Sequence, residues 1–188
     1  MIPKNPYLLY LVKFIGAFCI LYFGTKAIIG LAAPGHYYSE FVHSYLNYPA
    51  LLRKTLLYGA KTMLLVVGYQ SYTPDTYHLQ LVGGRSVRMV YSCLGIGILS
   101  FWTAFIFANK GSFKKKLVWI TGGLLLIWLI NITRVALFLL SFNKKLYMPF
   151  KMDNHTFFNI GAYIAIFIMI WRYDRYTKSK LQTANGRS

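Results

Sequence analysis

The sequence predicts an all-α polytopic membrane protein: a small helical bundle with a short extracytoplasmic β-hairpin before the helix that carries a cysteine. Of its 188 residues, 56% are hydrophobic and only 13% are charged, which is about half the charged share of a soluble domain. Several apolar runs approach the roughly 20 residues that cross a hydrocarbon core. Residues 1–174 are expected to form a single membrane-embedded domain, followed by a basic, disordered cytoplasmic tail at 175–188.

The first two segments leave two topologies open. Residues 7–33 are apolar and are expected to form an uncleaved first span. In residues 36–70, Arg53 and Lys54 lie about two helical turns before Lys61, which indicates one basic helical face. This segment is either a second span or an amphipathic helix at the interface. The chain therefore has four spans plus an outer helix, or five spans.

A β-hairpin is predicted in the stretch TYHLQLVGGRSVRMVY, residues 76–91, because apolar and polar residues alternate on both sides of Gly83-Gly84. An isolated hairpin is marginal in water, so this one is expected to pack against the bundle. Three further spans are expected at 90–108, 117–142 and 154–171, separated by a basic loop at 109–116 and a polar turn at 143–153.

The distribution of cations orients these segments. The net charge is +17, and the cations cluster in NKGSFKKKL and in the C-terminal tail. Both are assigned to the cytoplasm by the positive-inside rule, where they face anionic lipids. The chain is then a multi-pass protein of the cell inner (cytoplasmic) membrane, and its hairpin lies on the outer side of that membrane. No nucleic-acid-binding motif accompanies the charge, so nucleic acid is not an expected partner.

Three polar or reactive side chains are expected at one depth. Counted from the cytoplasmic ends of their spans, Cys93, Arg134 and His155 each lie roughly 16 or 17 residues up, or about 24–26 Å. In a hydrocarbon core roughly 30 Å thick, all three come near the outer face, on three different helices. Helical spacing also puts Asn131 on the face of Arg134, and Asn159 on the face of His155.

These three side chains together suit nucleophilic catalysis. A thiol attacks as the thiolate, which a helix N-terminus and a nearby cation favour. Cys93 stands in the first turn of its span, Arg134 would supply the cation or steady an oxyanion, and His155 would carry the proton. Each also has a simpler explanation, since a cysteine often fills space, an arginine can snorkel and a histidine can cap a helix. With four acidic residues and two distant cysteines, no metal site and no cofactor is expected.

Three motifs resemble the exosortase/archaeosortase family, in a short form: VYSCLGIG, NITRVALF and DNHTFFNIGAY, in this order over residues 69–171. The resemblance implies a membrane-embedded cysteine protease or transpeptidase. Such an enzyme cleaves the C-terminal sorting tails of exported proteins and passes the new carboxyl group, through a thioester, to an amine or glycan acceptor. The active site would face outward.

The resemblance also assigns roles, with Cys93 as the nucleophile, His155 as the base and Arg134 as the electrostatic partner. The candidate supporting residues are Asn131, Asn154 and Asn159. Leu94 departs from the family, in which a small polar residue usually stands between the cysteine and the following glycine.

Two other function classes compete with this interpretation. A small transporter or channel would use Arg134 as an anion site, and Cys93 would then be dispensable. A structural protein would dock other membrane proteins through its aromatic surface, to which 16 Tyr and 14 Phe contribute. Substitutions of the three polar residues would then have mild effects.

Overall fold

A computed structural model describes residues 5–35, 37–144 and 154–185, with side chains for 5–35, 37–143 and 160–177. The chain divides into two compact units, 1–147 and 148–188. The first unit holds four α-helices and a three-stranded sheet: α1 Pro6–Ala32, α2 Tyr48–Val66, β1 Ser71–Tyr72, β2 His78–Leu81, β3 Ser86–Arg88, α3 Ile96–Ala108 and α4 Phe113–Lys144. The described residues of the second form helix α5, Asn154–Asn185.

Three helices in the described ranges are long and apolar enough to cross a membrane: Pro6–Ala32, Tyr91–Ala108 and Phe113–Asn143. They coincide with three of the predicted spans. The helix of the 36–70 region, α2, is not among them, and it carries three cations. By length and composition, α2 is therefore not a candidate span.

Helix α5 begins where the last span is predicted to begin, at residue 154. It continues to Asn185, so the tail predicted to be disordered from residue 175 is helical over most of its length. The polar turn predicted at 143–153 lies outside the described residues beyond position 144.

Asparagine caps begin both α1 and α2. The Asn5 side chain accepts a hydrogen bond from the Tyr7 amide at 3.0 Å, and the Asn47 side chain accepts one from the Ala50 amide at 3.2 Å. Each cap satisfies one of the amide groups that a helix start leaves unpaired, and such a cap stabilises a helix by about 1 kcal/mol. A proline follows each cap within the first helical turn, where its missing N–H costs nothing.

Helix α3 packs against both α1 and α4. The rings of Phe14 and Phe101 meet edge to face, with centroids 5.4 Å apart. On the other side, Trp102 Nε1 donates to the Trp119 carbonyl at 3.0 Å. This approach requires glycine at position 123, where a Cβ would collide with the Trp102 indole. Aromatic and small residues thus set the two interfaces of α3.

The sheet confirms the predicted hairpin and adds a strand. Strands β2 and β3 are antiparallel, with Leu79 opposite Val87, and Gly83 takes a φ of 71° in the turn between them. The short strand β1 pairs with the other edge of β2. Leu79 and Leu81 are buried in one core with side chains of α2 and α4, so the hairpin packs against the bundle as predicted.

Asn143, one residue before the end of α4, holds the hairpin turn. Its Oδ1 accepts a hydrogen bond from the Arg85 amide at 2.6 Å, and its Nδ2 donates to the Arg85 carbonyl at 3.4 Å. The same Nδ2 donates to the Leu139 carbonyl within the helix, at 2.8 Å. Glycine is required at position 84, since a Cβ there would collide with the Asn143 amide.

Replacement of Asn143 by alanine should therefore loosen the hairpin turn without unfolding the bundle. Loss of the two hydrogen bonds to Arg85 is expected to cost about 1–2 kcal/mol of local stability, or roughly 5–30-fold faster amide hydrogen exchange around the turn. Asn109 is a matched control, because its Nδ2 makes the same bond one helical turn back, to the Phe105 carbonyl at 2.8 Å. Equal amide exchange rates around the hairpin turn in Asn143→Ala and Asn109→Ala would contradict a stabilising role for the bonds from Asn143 to Arg85.

Candidate active site

Cys93 lies in a 3₁₀ turn, Tyr91–Leu94, that immediately precedes α3. Its amide donates to the Val90 carbonyl at 2.9 Å, and its thiol is free and half-buried. The sequence places Cys93 in the first turn of the span, but the turn is 3₁₀ rather than α-helical, because Gly95 interrupts the helix with a φ of 72°. The nucleophile candidate thus sits just before the N-terminus of α3 instead of within it.

Asn131 of α4 fixes this turn. It is buried, with 5% of its surface exposed, and its Nδ2 donates to the Leu94 carbonyl at 3.2 Å. A Cβ at Gly95 would come within 2.5 Å of the same Nδ2. Glycine at 95 is therefore required twice, by its left-handed backbone conformation and by the close approach of Asn131.

Arg134 lies next to the same turn, one helical turn after Asn131. Its Nη2 donates to the Cys93 carbonyl at 3.5 Å, a long hydrogen bond. Consecutive carbonyls of the turn, those of Cys93 and Leu94, thus face two side chains on one side of α4. The sequence predicts Cys93 and Arg134 at one depth, and in the structure the two residues are in contact through the Cys93 carbonyl.

The third predicted group lies outside the described side chains. His155 is the second residue of α5, and Asn154 and Asn159 belong to the same helix, but the described side chains of α5 begin at residue 160. The pairing of His155 with Cys93, and the supporting roles of the two asparagines, therefore stay predictions.

The described part of the site places a permanent cation and uncapped helix amides beside the turn that carries the thiol. A guanidinium lies beside the turn that carries the thiol. The first amide groups of α3 have no side-chain cap, so they direct a positive partial charge toward the residues before them. Within the described ranges, no group of three or more His, Cys, Asp or Glu side chains could hold a metal ion.

Comparison with models of known protein families, with curated proteins and with solved structures finds no match to this chain. The likeness to exosortases and archaeosortases accordingly rests on the three sequence motifs.

A further arginine was not assigned to any site from the sequence. Arg53 is buried on α2, with 5% of its surface exposed, whereas its neighbour Lys54 is exposed. The prediction of one basic face that includes Arg53 is therefore wrong. The buried face of α2 also contains Leu56, Leu57 and Ala60, and helical spacing from these apolar residues already places Arg53 among them.

Proposed function

We propose that the protein is an integral-membrane cysteine protease or transpeptidase, similar to exosortases and archaeosortases, that cleaves the C-terminal sorting signals of exported proteins. The observation that carries this proposal is the contact of Arg134 with the Cys93 turn, which Asn131 locks from the same face of α4. A permanent cation is thereby held against the backbone of the residue that carries a free thiol, at the end of an apolar helix. The combination suits attack on a carbonyl carbon.

In the proposed reaction, the Cys93 thiol gives its proton to His155 and its sulfur attacks the carbonyl carbon of the scissile peptide bond. The negative charge on the resulting oxyanion is stabilised by Arg134. The C–N bond then breaks, His155 returns the proton to the leaving amine, and a thioester joins the substrate to Cys93. An amine, a glycan hydroxyl or water attacks the thioester and releases both the product and the thiol.

A membrane location fits the surface of the first unit. Large apolar side chains on α1 are exposed, among them Ile20 at 75% and Phe23 at 59%. Soluble monomers rarely expose apolar surface of this extent, whereas lipid covers it without cost. We propose that the hairpin faces outward from the cytoplasmic membrane. The basic loop at 109–116 then lies on the cytoplasmic side, where its cations contact anionic lipids.

The direct test compares the membrane proteomes of cells with and without this chain. We expect a set of exported proteins to lose a C-terminal hydrophobic segment only in cells that contain the chain. Peptides from that segment should be absent from the mature proteins, and the new C-terminus should carry an acceptor or a free carboxyl group. Identical C-termini in both proteomes would refute the proposal.

A further inference from the structure

Arg53 is held in an aromatic enclosure. Its guanidinium carbon lies 3.9 Å from the centroid of the Tyr77 ring and 5.1 Å from that of the Tyr91 ring, and only 5% of the residue is exposed. Cation–π contacts of this kind orient a guanidinium, but they occupy none of its N–H donors. Nε and Nη1 are buried and have no hydrogen-bond partner among the described residues.

The buried charge of Arg53 also has no counter-ion within the described part of the chain. The carboxylate of Asp75 pairs instead with His78 Nδ1 at 2.7 Å. The same carboxylate accepts the amides of Tyr77 and His78 at 2.7 and 2.8 Å. The bond from the Tyr77 amide, followed by that from the His78 side chain, holds the pKa of Asp75 below its usual range. Three hydrogen bonds thus already engage the Asp75 carboxylate, and a buried unpaired cation is unfavourable until an anion arrives.

Arg53 lines a cavity of about 1020 Å³, together with both tyrosines, Asp75 and Lys54. The volume is at the upper end of small-molecule pockets, which are roughly 300–1,000 Å³, so it admits several residues of a peptide. One of its walls is Tyr91, which belongs to the same 3₁₀ turn as Cys93. The cavity therefore adjoins the turn that carries the proposed nucleophile.

We propose that this cavity is a subsite for an acidic side chain of the polypeptide substrate, whose carboxylate pairs with Arg53. The inference rests on the proposed peptidase function for the identity of the polypeptide. A guanidinium presents parallel N–H donors that match the two oxygens of a carboxylate, and one cation neutralises one carboxylate. A lipid phosphate has similar chemistry, but the Tyr91 wall places the site beside the point at which a polypeptide must meet Cys93.

Binding is measured apart from catalysis, on the full chain carrying Cys93→Ala in nanodiscs of phosphatidylcholine. The probes are two fluorescently labelled, end-capped alanine peptides that differ only by one central Glu or Gln. We expect the Glu peptide to bind at least about 10-fold more tightly, because only its carboxylate can pair with the buried guanidinium. Arg53→Met should remove this preference while preserving the fold, since methionine fills the space between the two rings without a charge.

Lys54→Met is the matched control, because it removes one cation from the adjacent, exposed position on the cavity wall. It should change the affinity for the Glu peptide by less than about twofold. Equal affinity for the Glu and Gln peptides, or an equal loss in Lys54→Met and Arg53→Met, would overturn the subsite.

Adding phosphatidylglycerol to the nanodiscs tests whether the cavity binds a lipid phosphate instead of the acidic peptide. If this lipid abolishes binding of the Glu peptide and is itself retained only when Arg53 is present, the cavity holds a headgroup phosphate and the peptide assignment is overturned. The experiments can also refute the subsite and the proposed function independently of each other. Binding of the Glu peptide without any tail cleavage by the unsubstituted chain would refute the peptidase alone, and cleavage without a Glu preference would refute the subsite alone.

Discussion

Replacement of Cys93 by alanine is expected to abolish cleavage of sorting tails, with a fall in rate of at least about 10⁴-fold. In the proposed reaction the thiol is the protein group that bonds covalently to the substrate, so its removal prevents the thioester altogether. Asn131 holds the turn through the backbone carbonyl of Leu94 and not through the thiol. We therefore expect the variant to insert and fold normally. The measurement is the fraction of an exported reporter that keeps its C-terminal tag after a pulse and chase.

The chain contains its own control for this experiment. Cys19, in α1, is also free and half-buried, but nothing in the proposed reaction involves it. Cys19→Ala should therefore process the reporter at the unsubstituted rate. Wild-type processing by Cys93→Ala would end the nucleophile assignment.

Replacement of Arg134 by alanine is expected to slow cleavage by about 10²–10³-fold, as loss of one group that stabilises an oxyanion typically does. The fall should appear mainly in kcat, since the proposed charge develops in the transition state. Arg134→Lys should restore part of the rate, because an ammonium keeps the charge but presents it as a point on a flexible stem. The turn itself should persist, because the shorter bond to it comes from Asn131 at 3.2 Å.

Arg85→Ala tests whether the effect of Arg134 is one of total charge. Arg85 is an exposed cation in the hairpin turn, and its loss changes the net charge by the same amount. We expect near-normal cleavage from this variant. If Arg134→Ala instead stops anion flux in proteoliposomes while Cys93→Ala has no effect on any activity, the transporter interpretation is the correct one.

The sequence contained the information for the hairpin and for a common depth of Cys93 and Arg134. Alternation around Gly83-Gly84 is a local pattern, and it survives in the structure because one side of β2 must be buried. The expectation of a common depth followed from the fixed rise per residue, which converts residue counts along separate helices into heights. Height does not specify direction, however, and the guanidinium bonds to the Cys93 carbonyl.

Features that depend on close approaches between residues far apart in sequence could not be predicted in this way. Helical spacing indicates that Arg53 lies on the apolar face of α2, but its contacts with Tyr77 and Tyr91 join residues far apart in sequence. The bonds from Asn143 to Arg85 join residues far apart in sequence, across an interface that periodicity does not define. Strand β1, which has only two residues, is likewise too short for an alternation pattern.

The close approach of Gly95 and Asn131 restricts how this sequence can change over evolution. A methyl group at position 95 would meet the Asn131 amide, so any bulkier residue there demands a smaller one at 131, and a smaller one forfeits the bond to the Leu94 carbonyl. Even then, the left-handed backbone at 95 tolerates little besides glycine or asparagine. Among descendants of this chain the two positions should drift together or not at all.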